Sequence, residues 1–143
     1  MKQSVAWPVE LAPQEDGTIL VSFPDIPEAL TDGATEDEAI AQAQDCLIAA
    51  LGGYVAARLP IPQPAPAHRR PMIALPALAA AKVALYVTMR AERVGNSALA
   101  TRLGLSEGAV RRLIDLDHRS HIGQIEKALH VLGQRLTVST QAA

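Results

Sequence analysis

The stretch from residue 17 to residue 40, GTILVSFPDIPEALTDGATEDEAI, constrains the fold most because several local structural signals follow one another within it. Ile19, Val21 and Phe23 recur at every second position, which predicts a strand with one strongly apolar face. Pro24 and a second proline three residues later favour a stiff, exposed bend after that strand. The chain therefore leaves the strand through a fixed loop.

The second half of this stretch predicts a turn and then a helix. Asp32 and Gly33 suit a tight turn, and Thr35 with Glu38 matches a capping box at a helix start. The expected helix carries apolar residues at spacings of three and four, namely Ile40, Ala43, Leu47, Leu51, Tyr54 and Val55. One long helix is therefore expected to pack on the sheet.

The residues before the stretch predict a partner strand. Apolar side chains again recur at every second position, in Val5, Trp7, Val9 and Leu11. Pro8 has no N–H, so its position is expected on the unpaired side of an edge strand. Asp16 and Gly17 suit a hairpin turn, which predicts that the first two strands pair antiparallel.

The order of these signals between residues 17 and 40 resembles the N-terminal domain of HicB-type antitoxins. The resemblance implies a partial ribonuclease-H-like sheet of three or four strands with one long helix. It also implies that this domain binds and silences a small HicA-type toxin that cleaves messenger RNA. For that contact, exposure and charge favour Trp7, Phe23, Asp25, Ile26 and Glu28. The alternative for Trp7 and Phe23 is a place in the core.

Charge divides the chain into two parts. Residues 1–60 hold two basic and ten acidic residues, a net charge of −8, and residues 61–143 hold eleven basic and five acidic residues, a net charge of +6. Between them, residues 59–76 contain six prolines and predict a semi-rigid extended linker, with a further strand at residues 72–75. We therefore predict an N-terminal module (residues 1–75) suited to a basic protein and a C-terminal module (residues 76–143) suited to nucleic acid.

Residues 97–114, SALATRLGLSEGAVRRLI, have the spacing of a helix-turn-helix. A small residue at Ala100, a turn residue at Gly104 and a buried residue at Val110 fall where such a motif needs them. Ser97 and Ser106 are expected to cap the two helices. Other apolar positions agree, namely Leu99, Leu103, Leu105 and Leu113. The alternative is two ordinary amphipathic helices joined by a glycine turn.

The second helix of this motif would read DNA. The predicted DNA-binding residues are Asn96, Ser97, Ser106, Glu107, Arg111, Arg112, Asp115 and Arg119. Arg111 and Arg112 can pair with guanine edges or neutralise phosphates, and Asn96 and Ser97 suit contacts with the DNA backbone. Glu107 could accept a hydrogen bond from cytosine, but a place at the helix N-terminus also explains it.

The residues that follow extend the resemblance. The pattern Arg-Leu-x-Asp-x-x-His-x-Ser from Arg112 to Ser120, followed by Ile-Glu-Lys-Ala-Leu, resembles the helix-turn-helix domain of one HicB subgroup. That resemblance implies repression of the antitoxin's own operon by binding to operator DNA. Leu136 and Val138 alternate with polar residues and predict a last strand. Dimerisation through this end, as a homodimer or a homotetramer, would suit a palindromic operator.

Other classes of function are disfavoured. The carboxylates of the N-terminal module are explained by turns and the helix start, which disfavours a nuclease, so we expect no enzyme. Cys46 is the only cysteine, so a cysteine-based metal site is not expected. His118, His121 and His130 lack an obvious fourth ligand for zinc, so we expect no metal and no cofactor. The chain has no long apolar run and no signal-peptide pattern, which predicts a cytoplasmic protein. The alternative function is a stand-alone transcriptional regulator whose N-terminal module senses a ligand or holds an oligomer together.

Overall fold

The computed structural model describes residues 5–142, in which small antiparallel sheets with one long helix precede four shorter helices. The predicted α+β class is confirmed. The elements are β1 (Ala6–Pro8), β2 (Glu10–Pro13), β3 (Ile19–Ser22), β4 (Leu30–Gly33), α1 (Glu36–Ala56), β5 (Met72–Ala74), α2 (Ala77–Glu92), α3 (Asn96–Leu103), α4 (Glu107–Ile114) and α5 (Ile122–Val131).

The first extended segment, residues 6–13, contributes one strand to each of two sheets. Up to Pro8 it pairs antiparallel with β5, and from Glu10 onward it pairs antiparallel with β3 in a sheet of order β2-β3-β4. Between the two, the N–H of Val9 still donates to the carbonyl of Pro71 at 2.9 Å. The predicted pairing of the first two strands is thus confirmed, but only for the part after Val9.

One face of α1 closes the core over these strands. Its buried residues recur at spacings of four, namely Ala39, Ala43, Leu47, Leu51 and Val55. The helix begins as predicted, because the N–H of Glu38 donates to the hydroxyl oxygen of Thr35 at 3.1 Å. In return, the Glu38 carboxylate accepts from the N–H of Ala34 at 3.2 Å, which satisfies a second amide before the helix.

Gly33 is buried where β4 meets the start of α1, and its missing side chain is required there. A Cβ at this position would lie 2.4 Å from the backbone nitrogen of Ala39. The nearest atoms all belong to the main chain, so they cannot move aside as the end of a flexible side chain could. We expect Gly33→Ala to lower the free energy of unfolding by about 2–3 kcal/mol in urea denaturation, since overpacking against backbone forces the helix to shift. As control, Gly53→Ala meets no atom within 4 Å and should stabilise α1 by up to about 1 kcal/mol. Equal effects of the two substitutions would contradict this account.

The proline-rich segment at residues 59–76 packs on the N-terminal module instead of spanning free solvent. Ile61 is buried, and the indole N–H of Trp7 donates to the carbonyl of Pro62 at 2.9 Å. The N–H of Ala65 donates to the carboxylate of Asp25 at 3.0 Å. The segment predicted as a semi-rigid extended linker is thus packed on the N-terminal module, because its backbone groups form hydrogen bonds with the side chains of Trp7 and Asp25.

The helices after residue 76 share a continuous core with the sheets. The hydroxyl of Tyr86 in α2 donates to the carbonyl of Leu59 at 2.7 Å, and Arg90 donates to the carbonyl of Arg58 at 2.6 Å. These bonds hold α2 against the end of α1. Within residues 5–142, no helix combines the length and apolar composition needed to cross a membrane.

The last segment does not form the strand that its alternation predicts. After α5 the described residues adopt no regular structure, and the side chain of Val138 is 86% exposed. Alternation indicates a strand only where a neighbouring strand offers hydrogen bonds. Among residues 5–142, no strand pairs with this segment.

Candidate binding surfaces

The helices α3 and α4 meet through a tight turn at Gly104. This glycine has φ +67°, a left-handed conformation that costs it little, and the next N–H, of Leu105, donates to Ala100 at 2.9 Å. Ser106 caps α4 as predicted, since its hydroxyl accepts from the N–H of Ala109 at 3.1 Å. The inner residues of the pair are buried, namely Leu99, Ala100, Val110 and Leu113.

Ser97 has a different place from the one predicted. The residue that caps α3 is Gly95, and Ser97 lies inside the first turn of the helix. Its hydroxyl donates to the carboxylate of Glu107 at 3.2 Å, and Glu107 also pairs with Arg111 at 3.1 Å. Glu107 thus links the two helices, which favours its structural interpretation over recognition of a base.

Six of the other predicted DNA-binding residues are exposed. Asn96 is half-buried at the start of α3, and the exposed ones are Ser106, Glu107, Arg111, Arg112, Asp115 and Arg119. Within residues 5–142, Arg112 forms no ion pair, and two-thirds of the Arg111 side chain is exposed despite its partner. Both guanidinium groups can therefore reach an anionic ligand.

The side chain of Lys82, in α2, forms hydrogen bonds with the C-terminal end of α4 and with the loop after it. Its side chain is fully buried, and the ammonium donates to the carbonyls of Arg112 and Asp115 at 2.7 and 2.8 Å. It also donates to the hydroxyl of Ser120 at 2.8 Å. A cation at the C-terminal end of α4 satisfies carbonyls that the helix leaves without partners and complements the helix dipole.

In the sequence, Lys82 lies at helical spacing from Leu78, Leu85 and Met89, on a stripe that is otherwise apolar. Burial lowers the pKa of its ammonium, and the nearby Asp115 carboxylate partly offsets that effect. The signal that could have identified the contact is a lone lysine on an apolar helix face, because such a residue must find polar partners when buried.

The predicted toxin-binding residues divide into core and surface. Trp7, Phe23 and Ile26 are at most 1% exposed, so the expectation that their side chains present themselves to a partner is wrong. In this loop the N–H of Ile26 donates to the carbonyl of Phe23 at 3.0 Å, and both side chains are buried. For Trp7 and Phe23, the core alternative is the one the structure adopts.

The two predicted acidic residues keep part of their surface. Asp25 is half-buried and holds the proline-rich segment through Ala65. Glu28 is exposed, and a hydrogen bond from the Tyr54 hydroxyl lowers the pKa of its carboxyl group. Tyr54 belongs to α1, so the carboxylate of Glu28 lies near the last turn of that helix.

A second group of exposed carboxylates lies on β4 and α1, and its members in the first turn of α1 are distant from Glu28, because Tyr54 belongs to the last turn of that helix. The exposed ones on β4 and α1 are Asp32, Glu36, Asp37, Glu38 and Asp45. In the described part of the chain, no three histidine, cysteine or acidic side chains are grouped as metal ligands. The arrangement is a set of exposed carboxylates on the N-terminal module.

Comparison with known protein families shows which family this chain belongs to. The family described as HicB_like antitoxin of bacterial toxin-antitoxin system matches residues 6–84, which is more than half of the chain. The chain belongs to the HicB-like antitoxin family. The resemblance predicted from residues 17–40 is confirmed.

Curated relatives extend this family assignment over nearly the whole HicB-like chain. Antitoxin HicB 2 of Photorhabdus laumondii is 40% identical over 136 residues, covering 95% of this chain and 96% of the relative. Antitoxin HicB of Pseudomonas fluorescens is 39% identical over 91% of this chain and 90% of the relative. Antitoxin HicB of Escherichia coli strain K12 is 35% identical over 92% and 96%.

Membership fixes the broad class of function. A HicB-like antitoxin is a regulatory component of a toxin–antitoxin system, so the chain has a toxin as partner and is not an enzyme. The prediction against catalysis is confirmed on this ground.

Proposed function

We propose that this antitoxin neutralises a small HicA-type toxin that cleaves messenger RNA and represses its own operon by binding operator DNA. The observation that carries the proposal is the separation of two surfaces of opposite charge. Exposed carboxylates surround the start of α1, whereas α4 presents Arg111 and Arg112. A basic protein and a nucleic acid are the partners that complement these surfaces.

The toxin would bind the N-terminal module, residues 1–75. Asp25 and Glu28 remain the candidate contacts from the sequence, and Trp7, Phe23 and Ile26 would shape the surface from within the core. Family membership favours this function over a stand-alone regulator, because an antitoxin requires a toxin.

The operator would bind the C-terminal module, residues 76–143, with α3 and α4 as a helix-turn-helix. In this arrangement α4 enters the major groove, and Arg111 and Arg112 read base edges or neutralise phosphates. Asn96 and Ser97 lie at the start of α3, where such motifs contact the DNA backbone, and Arg119 lies in the loop after α4. Ser106, Glu107 and Asp115 would position that helix.

The oligomer and the compartment follow from the same function. A dimer or a tetramer would present two copies of α4 to a palindromic operator, and the C-terminal module would supply the contact between copies. Repression of an operon places the protein in the cytoplasm. Size measurement by light scattering, with and without operator duplex, tests the stoichiometry.

Growth rescue tests the toxin half of the proposal. The full chain is co-expressed with the small protein encoded beside its gene, and growth is compared with expression of that small protein alone. We expect arrest without the antitoxin and recovery with it. A harmless neighbour, or a harmful one that the full chain does not neutralise, would contradict the proposal and favour the stand-alone regulator.

Reversing the charge of Glu28 on the N-terminal module should weaken toxin binding selectively. We expect Glu28→Lys to reduce affinity for the toxin by about tenfold, since like charges across an interface are unfavourable. Titration calorimetry with the purified toxin measures this change. Glu126→Lys in α5 is the matched control, because it reverses an exposed carboxylate on the C-terminal module. If both variants bind the toxin like the parent, the toxin does not contact the surface around Glu28.

A further inference from the structure

A groove of about 1020 Å³ lies where the N-terminal module meets the helices of the C-terminal module. One wall is the C-terminal half of α1, the second is the last turns of α2, and the third is formed by α3, α4 and the loop after α4. Gly52 and Gly53 keep the first wall bare, since a Cβ at either position meets no atom within 4 Å. The groove is therefore open to a ligand.

The rim of this groove is rich in guanidinium groups. Arg58 follows α1, Arg90 and Arg93 end α2, and Arg111 belongs to α4, and all four are exposed. Two carboxylates line the same groove, Asp115 and Asp117, so cations outnumber anions.

Three of these arginines carry charge that the described chain leaves uncompensated. Within residues 5–142, no carboxylate oxygen lies within 4.0 Å of the guanidinium nitrogens of Arg58, Arg90 or Arg93. Arg90 is held in place, because it donates to the carbonyl of Arg58 and lies 5.9 Å from the ring centre of Tyr86. Arg58 and Arg93 line the same groove. An anion along this rim would meet guanidinium groups from the end of α1 and from the end of α2.

We propose that this rim binds the phosphate backbone of DNA, so that the operator contact extends beyond α3 and α4 onto the end of α1. The inference rests on the proposed operator binding. The groove is continuous with that surface, because Asn96 and Arg111 line it together with Arg58 and Arg93. A duplex on α4 would therefore pass beside the rim, where the phosphates complement its charge. The N-terminal module thus contributes directly to the footprint on DNA.

Three single substitutions give a matched test. Arg58, Arg93 and Arg69 all have left-handed backbones, with φ of 59°, 57° and 66°, and all are exposed. Replacing each by glutamine removes one charge and leaves the backbone strain unchanged. Arg69 lies in the proline-rich segment outside the groove and serves as the control. Arg90 is left intact, because its bond to Arg58 is structural.

Affinity of the full chain is measured for a duplex carrying the sequence upstream of its gene and for a scrambled duplex, across about 50 to 200 mM salt. We expect Arg58→Gln and Arg93→Gln each to reduce the slope of log affinity against log salt by about 0.9. The loss of affinity over that range then becomes about threefold smaller, on both duplexes alike, since phosphates carry no sequence.

Arg69→Gln should keep the slope of the parent. If the parent binds the duplex and both groove variants keep its slope, the rim does not contact DNA, while the proposed operator binding stands. An acidic protein segment would then be the alternative ligand of the rim. An equal fall in slope for Arg69→Gln would also overturn the inference, because the effect would then come from net charge. A parent that does not bind the duplex would overturn the proposed operator function as well.

Discussion

The double variant Arg111→Ala, Arg112→Ala is expected to lose about 100-fold or more in operator affinity while it still neutralises the toxin. Each guanidinium that pairs with a base edge or a phosphate contributes about 1–3 kcal/mol to binding. Both side chains are exposed on α4, and neither contacts the N-terminal module in any hydrogen bond or ion pair of residues 5–142. A gel-shift titration at fixed salt measures the loss, and growth rescue measures the retained activity.

The double variant Arg69→Ala, Arg135→Ala is the charge-matched control, because both residues are exposed and lie outside α3 and α4. It should bind the operator nearly like the parent. The Arg111–Glu107 ion pair is exposed and contributes no more than about 1 kcal/mol, so thermal unfolding of the test variant should change little. Equal operator affinity of parent and test variant would remove α4 from the DNA interface.

Local signals in the sequence predicted the elements and several of their ends. Thr35 and Ser106 cap their helices as expected, because capping depends on residues only three positions apart. Gly104 takes the left-handed turn between α3 and α4 for a similarly local reason. The charges of the two modules are visible in composition alone. The candidate DNA-reading surface was therefore largely predictable.

Contacts between distant residues were not predictable in the same way. The division of the first extended segment at Val9 depends on β5, which lies more than 60 residues further along the chain. The inward turn of Ile26 depends on how its loop folds back on the sheet, and alternation does not report this. Ser97 has a side chain suited to capping, but α3 begins earlier in the sequence, with Gly95 as its N-cap residue. The misses at Val9 and Ile26 involve tertiary packing that overrides a local preference.

Lys82→Met is expected to lower the free energy of unfolding by about 3–4 kcal/mol. Methionine fills a similar volume but leaves the carbonyls of Arg112 and Asp115 without their donor. Each hydrogen bond to a charged group contributes about 1.5–3 kcal/mol, and relief of the buried charge offsets only part of that sum. Urea denaturation of the full chain measures the change. Because α4 loses the cation at its C-terminal end, operator affinity should fall as well.

Lys127→Met on the exposed face of α5 is the control, and it should change stability by less than about 0.5 kcal/mol. Urea denaturation at several pH values distinguishes the effect of the buried ammonium on stability from the effect of side-chain packing. Burial lowers the pKa of Lys82 below 10.5, so the unfolded chain binds this proton more tightly than the folded chain. Its contribution to stability is therefore greatest above pH 10.5 and decreases as pH falls through the lowered pKa. The difference in unfolding free energy between parent and Lys82→Met should widen as pH approaches 10.5. A difference that narrows would show that the pKa of Lys82 is raised in the folded chain, because its hydrogen bonds outweigh desolvation.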